Sequence, residues 1–378
     1  MSKDFLPYAR HDMTDEDIAA VVDALRWDDL SGGGYIRKFE EALEERVGGK
    51  VVAVSSGTAA LHLALMASGI GSQQPCPTVA VPALTFIATA NAVVMAGGNP
   101  VFIDVQSDTW TIDPQAVLEY GGAAALEAVI GVDYAGLPAD YNGLYHVMGD
   151  NEHIIADSCH SLGIDPDHDA RLSCYSFHPA KHITSGEGGA VVTGGVDYAD
   201  YDLIRALRNH GLDVAGGTPT LDRSYHRLGY NYRMTTVGAA LAWSQLRRLD
   251  ANLARRAALV QDYKDRIAVR IGLGSEGVTF QHIPNGMVSA NHILPVLLPL
   301  GCDRRRVFEA MRAVGIGVQV HYRPVHLEPL YGGEDNRGMC PVAEGLYERM
   351  ITLPLFPAME EKDVVRVVEE LRKAVMGL

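Results

Sequence analysis

Apolar positions recur every three to four residues through the start of the chain, and this spacing predicts two amphipathic helices. The first, TDEDIAAVVDALRW, opens on Thr14 with Asp17 three residues later, the pattern of a capping box. The second, IRKFEEALEERVG, follows the glycine turn SGGGY at 31–35. The period then changes. VVAVSSGTAALHLALMASG begins as a β-branched strand and ends as an apolar helix, with Gly57 at the joint. TVAVPALTFIATANAVVMAG and NPVFIDVQ repeat the alternation, and EAVIGVDYAG, HIIADSCHS, LSCYSFHP and GAVVTGG follow as short apolar strands. Strands interleaved with helices predict an α/β fold around a mostly parallel sheet. From Thr235 a long helical stretch leads into a smaller second domain. That domain is expected to hold the strand NHILPVLL, the helix DRRRVFEAMRAVG, the strand IGVQVHY and the helix EEKDVVRVVEELRKAV. The expected division is 1–240 and 241–378.

Composition narrows the partners. With 378 residues, 47% of them apolar and 21% charged, the chain can bury a large core. Its 47 acidic against 32 basic side chains give a net charge of −15, without a basic run, which argues against nucleic acid and anionic membranes. An anionic small substrate would need a local arginine cluster or oriented backbone N–H groups. Five scattered cysteines with no Cys-x-x-Cys pair argue against a disulfide framework or a zinc site. The start, MSKDFLPYARHD, is charged and lacks the apolar core of a signal peptide, and no apolar run is long enough to span a membrane, so a cytoplasmic protein is expected.

One lysine stands out. SFHPAKHITSGEGG places Lys181 between two apolar strands, ahead of Gly186, Gly188 and Gly189. A buried ammonium is costly unless it is paired or deprotonated, so a lysine there is either a solvated turn residue or a chemical one. Three other places bear on the choice. Ser55 to Thr58 sit where a strand feeds a helix, a plain N-cap or a phosphate cradle. Asp157 follows an apolar strand, where it either caps a turn or holds a protonated heteroaromatic nitrogen. Phe86 lies at another strand-to-helix junction, as core or as a ring that stacks on a flat ligand. A lysine able to form a Schiff base, a cradle, a carboxylate and a ring clamp together describe a pyridoxal 5′-phosphate (PLP) site.

The ordered series SSGTAALHLAL, VPALTFIATANAVVMAGGNPVFIDV, DSCHSLG, SFHPAKHITSGEGGAVVT, LRNHGL, LGYNYRMT, IGVQVHYRPVHLEPLY and LPLFP resembles the DegT/DnrJ/EryC1/StrS sugar aminotransferases over nearly the whole chain. The resemblance implies the fold-type-I PLP-dependent transferase architecture. It implies that Lys181 carries the cofactor and shuttles protons, Asp157 pairs with the ring nitrogen, and Phe86 stacks on the ring. It also implies that His160 reaches the phenolic oxygen, that Gly57, Thr58 and Ser176 bind the phosphate, and that Asn231 reaches the phosphate of a neighbouring subunit, making a homodimer with shared sites. His321, Tyr322 and Arg323 would form a substrate-side rim, or alternatively a buried strand end. Arg10, Arg233 and Arg323 would meet the nucleotide phosphates. The expected reaction moves an amino group from L-glutamate to a nucleotide-linked 4-keto-6-deoxy sugar, most like the UDP-linked N-acetylhexosamine of pseudaminic acid routes.

Three departures from the family pattern are visible. Ser55 precedes SGT where an Asn or another polar residue is usual, Asp133 stands where histidine is common, and the segments 134–154 and 163–175 are short. The alternatives are a different nucleotide keto-sugar, a sugar dehydration, or a non-catalytic member. The dehydrating branch replaces the lysine with histidine, and a non-catalytic member would be expected to lose Lys181 or Asp157. HYRPVH spaces His321 and His326 five apart across a strand and a proline, which is not a metal-binding face, so no metal is expected.

Overall fold

In the computed structural model, residues 5–26, 29–71, 75–149, 154–164, 170–194, 198–212 and 225–377 are described. The central sheet has seven strands: β1 (Lys50–Val54), β2 (Thr78–Pro82), β3 (Asn99–Ile103), β4 (Ala128–Val132), β5 (Ile154–Asp157), β6 (Leu172–Ser176) and β7 (Gly189–Thr193). Their order is β1-β7-β6-β5-β4-β2-β3. β2 lies parallel to β3 and β4, β4 to β5, and β5 to β6. Only β7 is reversed, antiparallel to both β1 and β6. The expected mostly parallel sheet is therefore present, and the chain turns back on itself where Lys181 lies. β4 and β7 are buried at every position, as strands covered on both faces must be.

Helices cover the sheet. α1 (Asp15–Leu25) and α2 (Gly34–Val47) pack against α8 (Thr236–Leu246), while α3 (Gly57–Ala67) lies on β6 and β7 and touches α4 (Ile87–Met95) and α7 (Tyr198–Arg208). α5 (Pro114–Tyr120) and α6 (Tyr141–Met148) pack on each other. A second sheet, β10-β9-β8, is antiparallel and comprises β8 (Thr279–Phe280), β9 (Leu294–Leu297) and β10 (Met350–Leu353). α9 (Leu249–Arg270), α10 (Arg304–Ala313) and α12 (Glu361–Met376) supply its core with Tyr263, Met311 and Leu371, and α11 (Pro341–Arg349) leads into β10.

Three details differ from the sequence-based expectation. The long helix expected from Thr235 divides at Arg247–Arg248 into α8 and α9. IGVQVHY forms no ladder; single bridges join Ile316 to Leu6 and Gln319 to Thr352, so neighbouring segments hold it without a strand. Leu6 belongs to the apolar cluster of the second sheet, which places the first described residues against the C-terminal elements. Residues 150–153 and 165–169, within the two short segments, lie outside the described residues.

Asp17 does more than cap. The Thr14 N–H donates to its Oδ2 at 3.0 Å, as the pattern predicts, but the carboxylate is also fully buried (0% exposed). Ser244 Oγ (2.7 Å), Gln245 Nε2 (2.8 Å) and Arg248 Nη2 (2.6 Å) all donate to it, tying α1 to the end of α8. Removing one member of a buried charge pair leaves the other uncompensated. Asp17→Ala is expected to lower unfolding free energy by about 3–5 kcal/mol in urea titration. Asp12→Ala, which removes the more exposed partner of Arg248, is expected to change it by no more than about 1 kcal/mol.

Candidate active site

The C-terminal ends of β4, β5 and β6 open into a cavity of about 350 Å³. Parallel strands present their carboxyl ends together, so the loops that follow them converge there. Lys181, Asp157, Phe86, His160, Gly57, Thr58, Ser176, His321 and Tyr322 all line it.

The lysine loop is fixed by its own backbone. Phe177 N–H donates to Gly188 O (2.8 Å), Ser185 N–H to Phe177 O (3.0 Å) and Lys181 N–H to His178 O (2.8 Å). Phe177 is fully buried with its ring edge-on to Phe39 at 5.1 Å, which anchors the loop to α2. Burial pushes the Lys181 amine below its usual range, partly opposed by the Cys159 thiol and the Asp157 carboxylate nearby.

Asp157 ends β5 and is 6% exposed. Thr89 Oγ1 donates to its Oδ2 at 2.9 Å, and the Cys159 N–H donates to Oδ1 at 3.4 Å. Thr89 is itself in contact with Thr85 Oγ1 at 2.9 Å, so one threonine on the first turn of α4 and one just ahead of its cap orient the carboxylate. Phe86 caps the same helix and is 55% exposed, which removes it from the core and sets its ring on the cavity wall, 5.7 Å from Tyr322.

The floor is made by α3. Ser56 caps this helix, accepting from the Ala59 N–H at 3.1 Å, and leaves the N–H groups of the first turn pointing at the cavity end of β6. A Cβ added to Gly57 would lie 2.8 Å from Ser176 Cβ and 3.2 Å from Cys159 Sγ. A Cβ on Gly189 would lie 2.5 Å from the Ser56 carbonyl carbon. Glycine is required at both, because β7 and Ser176 close directly onto the helix start. The resulting cradle of N–H groups and hydroxyls suits a phosphate.

His160 accepts from the Ala135 N–H at Nδ1 (3.3 Å), which puts its proton on Nε2, 3.4 Å from the Tyr322 hydroxyl. Burial drives its pKa well down, so the imidazole is neutral. His321 contacts Thr352 Oγ1 through Nδ1 at 2.9 Å, and burial pushes it down to about 4. Burial likewise raises the Tyr322 hydroxyl, keeping it protonated.

Four expected residues do not line this cavity. Arg323 pairs with Glu334 (3.0 Å) on the surface. Arg233 donates to Asn209 Oδ1. Asn231 is exposed and bridged to Asn209, and Arg10 is exposed. The Asn231 segment nevertheless abuts the cradle, since Ser55 N–H donates to Tyr232 O at 2.8 Å. His326 is engaged by buried Glu344 at 2.9 Å, and among the described residues no group of three His, Cys, Asp or Glu side chains is arranged to hold a metal. Asp133, the departure from the family histidine, is a buried acceptor for Tyr141 Oη (2.6 Å), the Ala139 N–H (3.1 Å) and Ser161 Oγ.

Sequence reasoning missed Tyr8, Thr89, Cys159 and His292, all on the cavity wall. Thr85 and Thr89, flanking Phe86 at the strand-to-helix joint, carried a usable signal. Tyr8 and His292 carried none, because each arrives from a distant part of the chain.

Residues 11–372 match the model of the DegT/DnrJ/EryC1/StrS aminotransferase family. Among solved structures, Helicobacter pylori PseC, an aminotransferase involved in the biosynthesis of pseudoaminic acid, is 27% identical with a TM-score of 0.89, over 99% of this chain and 100% of that one. Streptococcus pneumoniae Spr1654 in its PLP form is 26% identical with a TM-score of 0.88, over 99% of each chain. S. venezuelae DesV, solved with a ketimine intermediate, is 29% identical with a TM-score of 0.84, over 97% of this chain and 98% of that one. A neutralisable lysine opposite a hydrogen-bonded carboxylate, above a cradle that a single Cβ would fill, fits PLP. The chain belongs to the DegT/DnrJ/EryC1/StrS aminotransferase family and is a PLP-dependent sugar aminotransferase.

Proposed function

We propose that this enzyme transfers an amino group from L-glutamate to the 4-keto carbon of a UDP-linked 4-keto-6-deoxy N-acetylhexosamine, acting as a UDP-4-amino-4,6-dideoxy-N-acetyl-β-L-altrosamine transaminase in the cytoplasm. The observation that carries it is Lys181 and Asp157 lining one cavity, within a motif series that includes HPAK, GEGG and VHYRPVHL. The similarity to PseC supports the sugar class.

Bound PLP supplies an electron sink for the carbon that loses its proton. The chain's residues do the rest. Gly57, Thr58 and Ser176 would hold the phosphate, Phe86 the ring face and His160 the phenolic oxygen. Asp157, held by Thr89, would keep the ring nitrogen protonated. Lys181 would carry the cofactor and then move a proton between donor carbon and acceptor carbon, and burial, which lowers its pKa, favours the neutral amine that accepts one. His321 and Tyr322 would face the sugar, and the diphosphate would lie outside the cavity, where Arg10 is exposed and where Arg233 and Arg323 would have to exchange Asn209 and Glu334 for it. Asn231, exposed beside the cradle, would reach the phosphate site of a second copy, giving a homodimer with shared sites.

Asp157→Asn is expected to keep the wild-type Tm and lose turnover by about 100-fold or more, because an amide does not hold the ring nitrogen protonated. Near wild-type turnover in that variant would remove the pairing.

The shared site is tested with hybrids. Mixing Lys181→Ala with Asn231→Ala subunits is expected to restore part of the activity, since one of the two sites then carries neither defect. No recovery despite demonstrated subunit exchange would mean that each site is built from one chain.

The substrate is tested with a panel of nucleotide keto-sugars and L-glutamate, following 2-oxoglutarate. Preference for the UDP-linked 4-keto sugar is expected. Preference for a 3-keto or thymidine-linked sugar would replace the substrate and leave the enzyme class standing.

A further inference from the structure

His292 arrives at the cavity from the segment before β9, and nothing in the lysine–aspartate chemistry above requires it. Its ring lies 4.3 Å from that of His160 and 5.2 Å from that of His182, the residue after Lys181. Its backbone is held from both sides. The His292 N–H donates to Ala135 O at 2.9 Å, and Arg256 Nη1 donates to His292 O at 3.0 Å. Ala135 is the same residue whose N–H fixes His160, so one residue, through the two peptides that flank it, holds the His160 ring and the His292 backbone. Ala135 (φ 59°) and Asn291 (φ 48°) both adopt the left-handed conformation that non-glycine residues rarely take. Such strain persists where surrounding structure imposes it, and it gathers at functional sites.

The side chain is only 4% exposed, and its Nδ1 is enclosed without a hydrogen-bond partner. Burial, with His160 and Lys181 nearby, holds its pKa well below the usual histidine range, so the ring carries one proton. Enclosed N–H groups without an acceptor are rarer than enclosed bare acceptors, which assigns the lone pair to Nδ1 and the proton to Nε2. Nε2 is not among the enclosed unpartnered atoms, and His292 is part of the cavity wall. His182 shows the same arrangement, with Nε2 on Ala290 O at 3.1 Å and Nδ1 bare. The difference is that His182 spends its donor on the backbone, whereas that of His292 is free.

We propose that His292 is an active-site donor: its Nε2–H binds an acceptor oxygen of the molecule held beside Lys181, while its ring sets the position of His160. The acceptor is an oxygen of PLP or of the bound substrate. The proposal rests on PLP occupying this cavity.

The test compares His292→Phe, which keeps a flat ring without the donor, with His292→Gln, which returns an N–H near Nε2. Wild type and variants are loaded with PLP, their absorption spectra and PLP dissociation constants recorded, and the half-reaction with L-glutamate followed by absorbance. His292→Phe is expected to slow the half-reaction by about tenfold to 100-fold with its Tm preserved, and His292→Gln to recover most of that loss. A shifted absorption band or weakened PLP binding in resting His292→Phe assigns the acceptor to the cofactor. An unchanged band with a raised KM or lowered rate for glutamate assigns it to the substrate. His292→Phe with wild-type spectrum, affinity and rate overturns the proposal, as do equal losses of rate and Tm in both variants, which would mark a packing role. Wild-type protein that takes up no PLP would instead defeat the cofactor reading, and is seen before any variant is made.

Discussion

The structure depends on one close approach. β7 runs back against β1 and β6 so tightly that Gly189 meets the Ser56–Gly57 peptide with no space for a Cβ. That contact holds the lysine loop above the first turn of α3. A looser return would separate the amine from the cradle, and the carboxylate of Asp157 would then face neither. The reversed strand in an otherwise parallel sheet is thus a geometric requirement of the site. It brings the end of one hairpin to where the strand ends already converge.

Around this contact, buried imidazole rings gather near the lysine. His160, His182, His292 and His321 surround Lys181, and burial keeps all four neutral. A neutral wall lowers the cost of deprotonating the lysine without offering a competing counterion. Asp157 and Cys159 lie on the other side and oppose the shift. The amine therefore sits between a polarisable, uncharged face and a single oriented carboxylate.

Much of this was legible in the sequence because the signals were local. The strand-to-helix joints at Gly57 and Phe86, the strand end at Asp157 and the glycine-rich turn after Lys181 each fit within a few residues. The capping pattern at Thr14 also fits, but its second role does not: Asp17 meets Ser244 and Arg248 only through tertiary packing. The sequence-based reading assigned no element to α5, α6, α7, α11 or β10. It expected a strand at IGVQVHY, whose β-branched pattern is satisfied by isolated bridges to Leu6 and Thr352. Tyr8 and His292 were illegible for the same reason, since their place on the cavity wall depends on contacts more than a hundred residues away.

The bridge between Leu6 and Ile316 has a consequence for how the chain is made. The first described residues complete a core whose other members are among the last to be synthesised. During synthesis the central sheet can close early, but the N-terminal segment has no docking surface until about three hundred further residues have emerged. Closing so long a loop is slow, and until then Tyr8 hangs free and the cavity lacks a wall. The order of assembly thus runs against the direction of translation, and the pocket acquires its last surface only when the C-terminal unit is built.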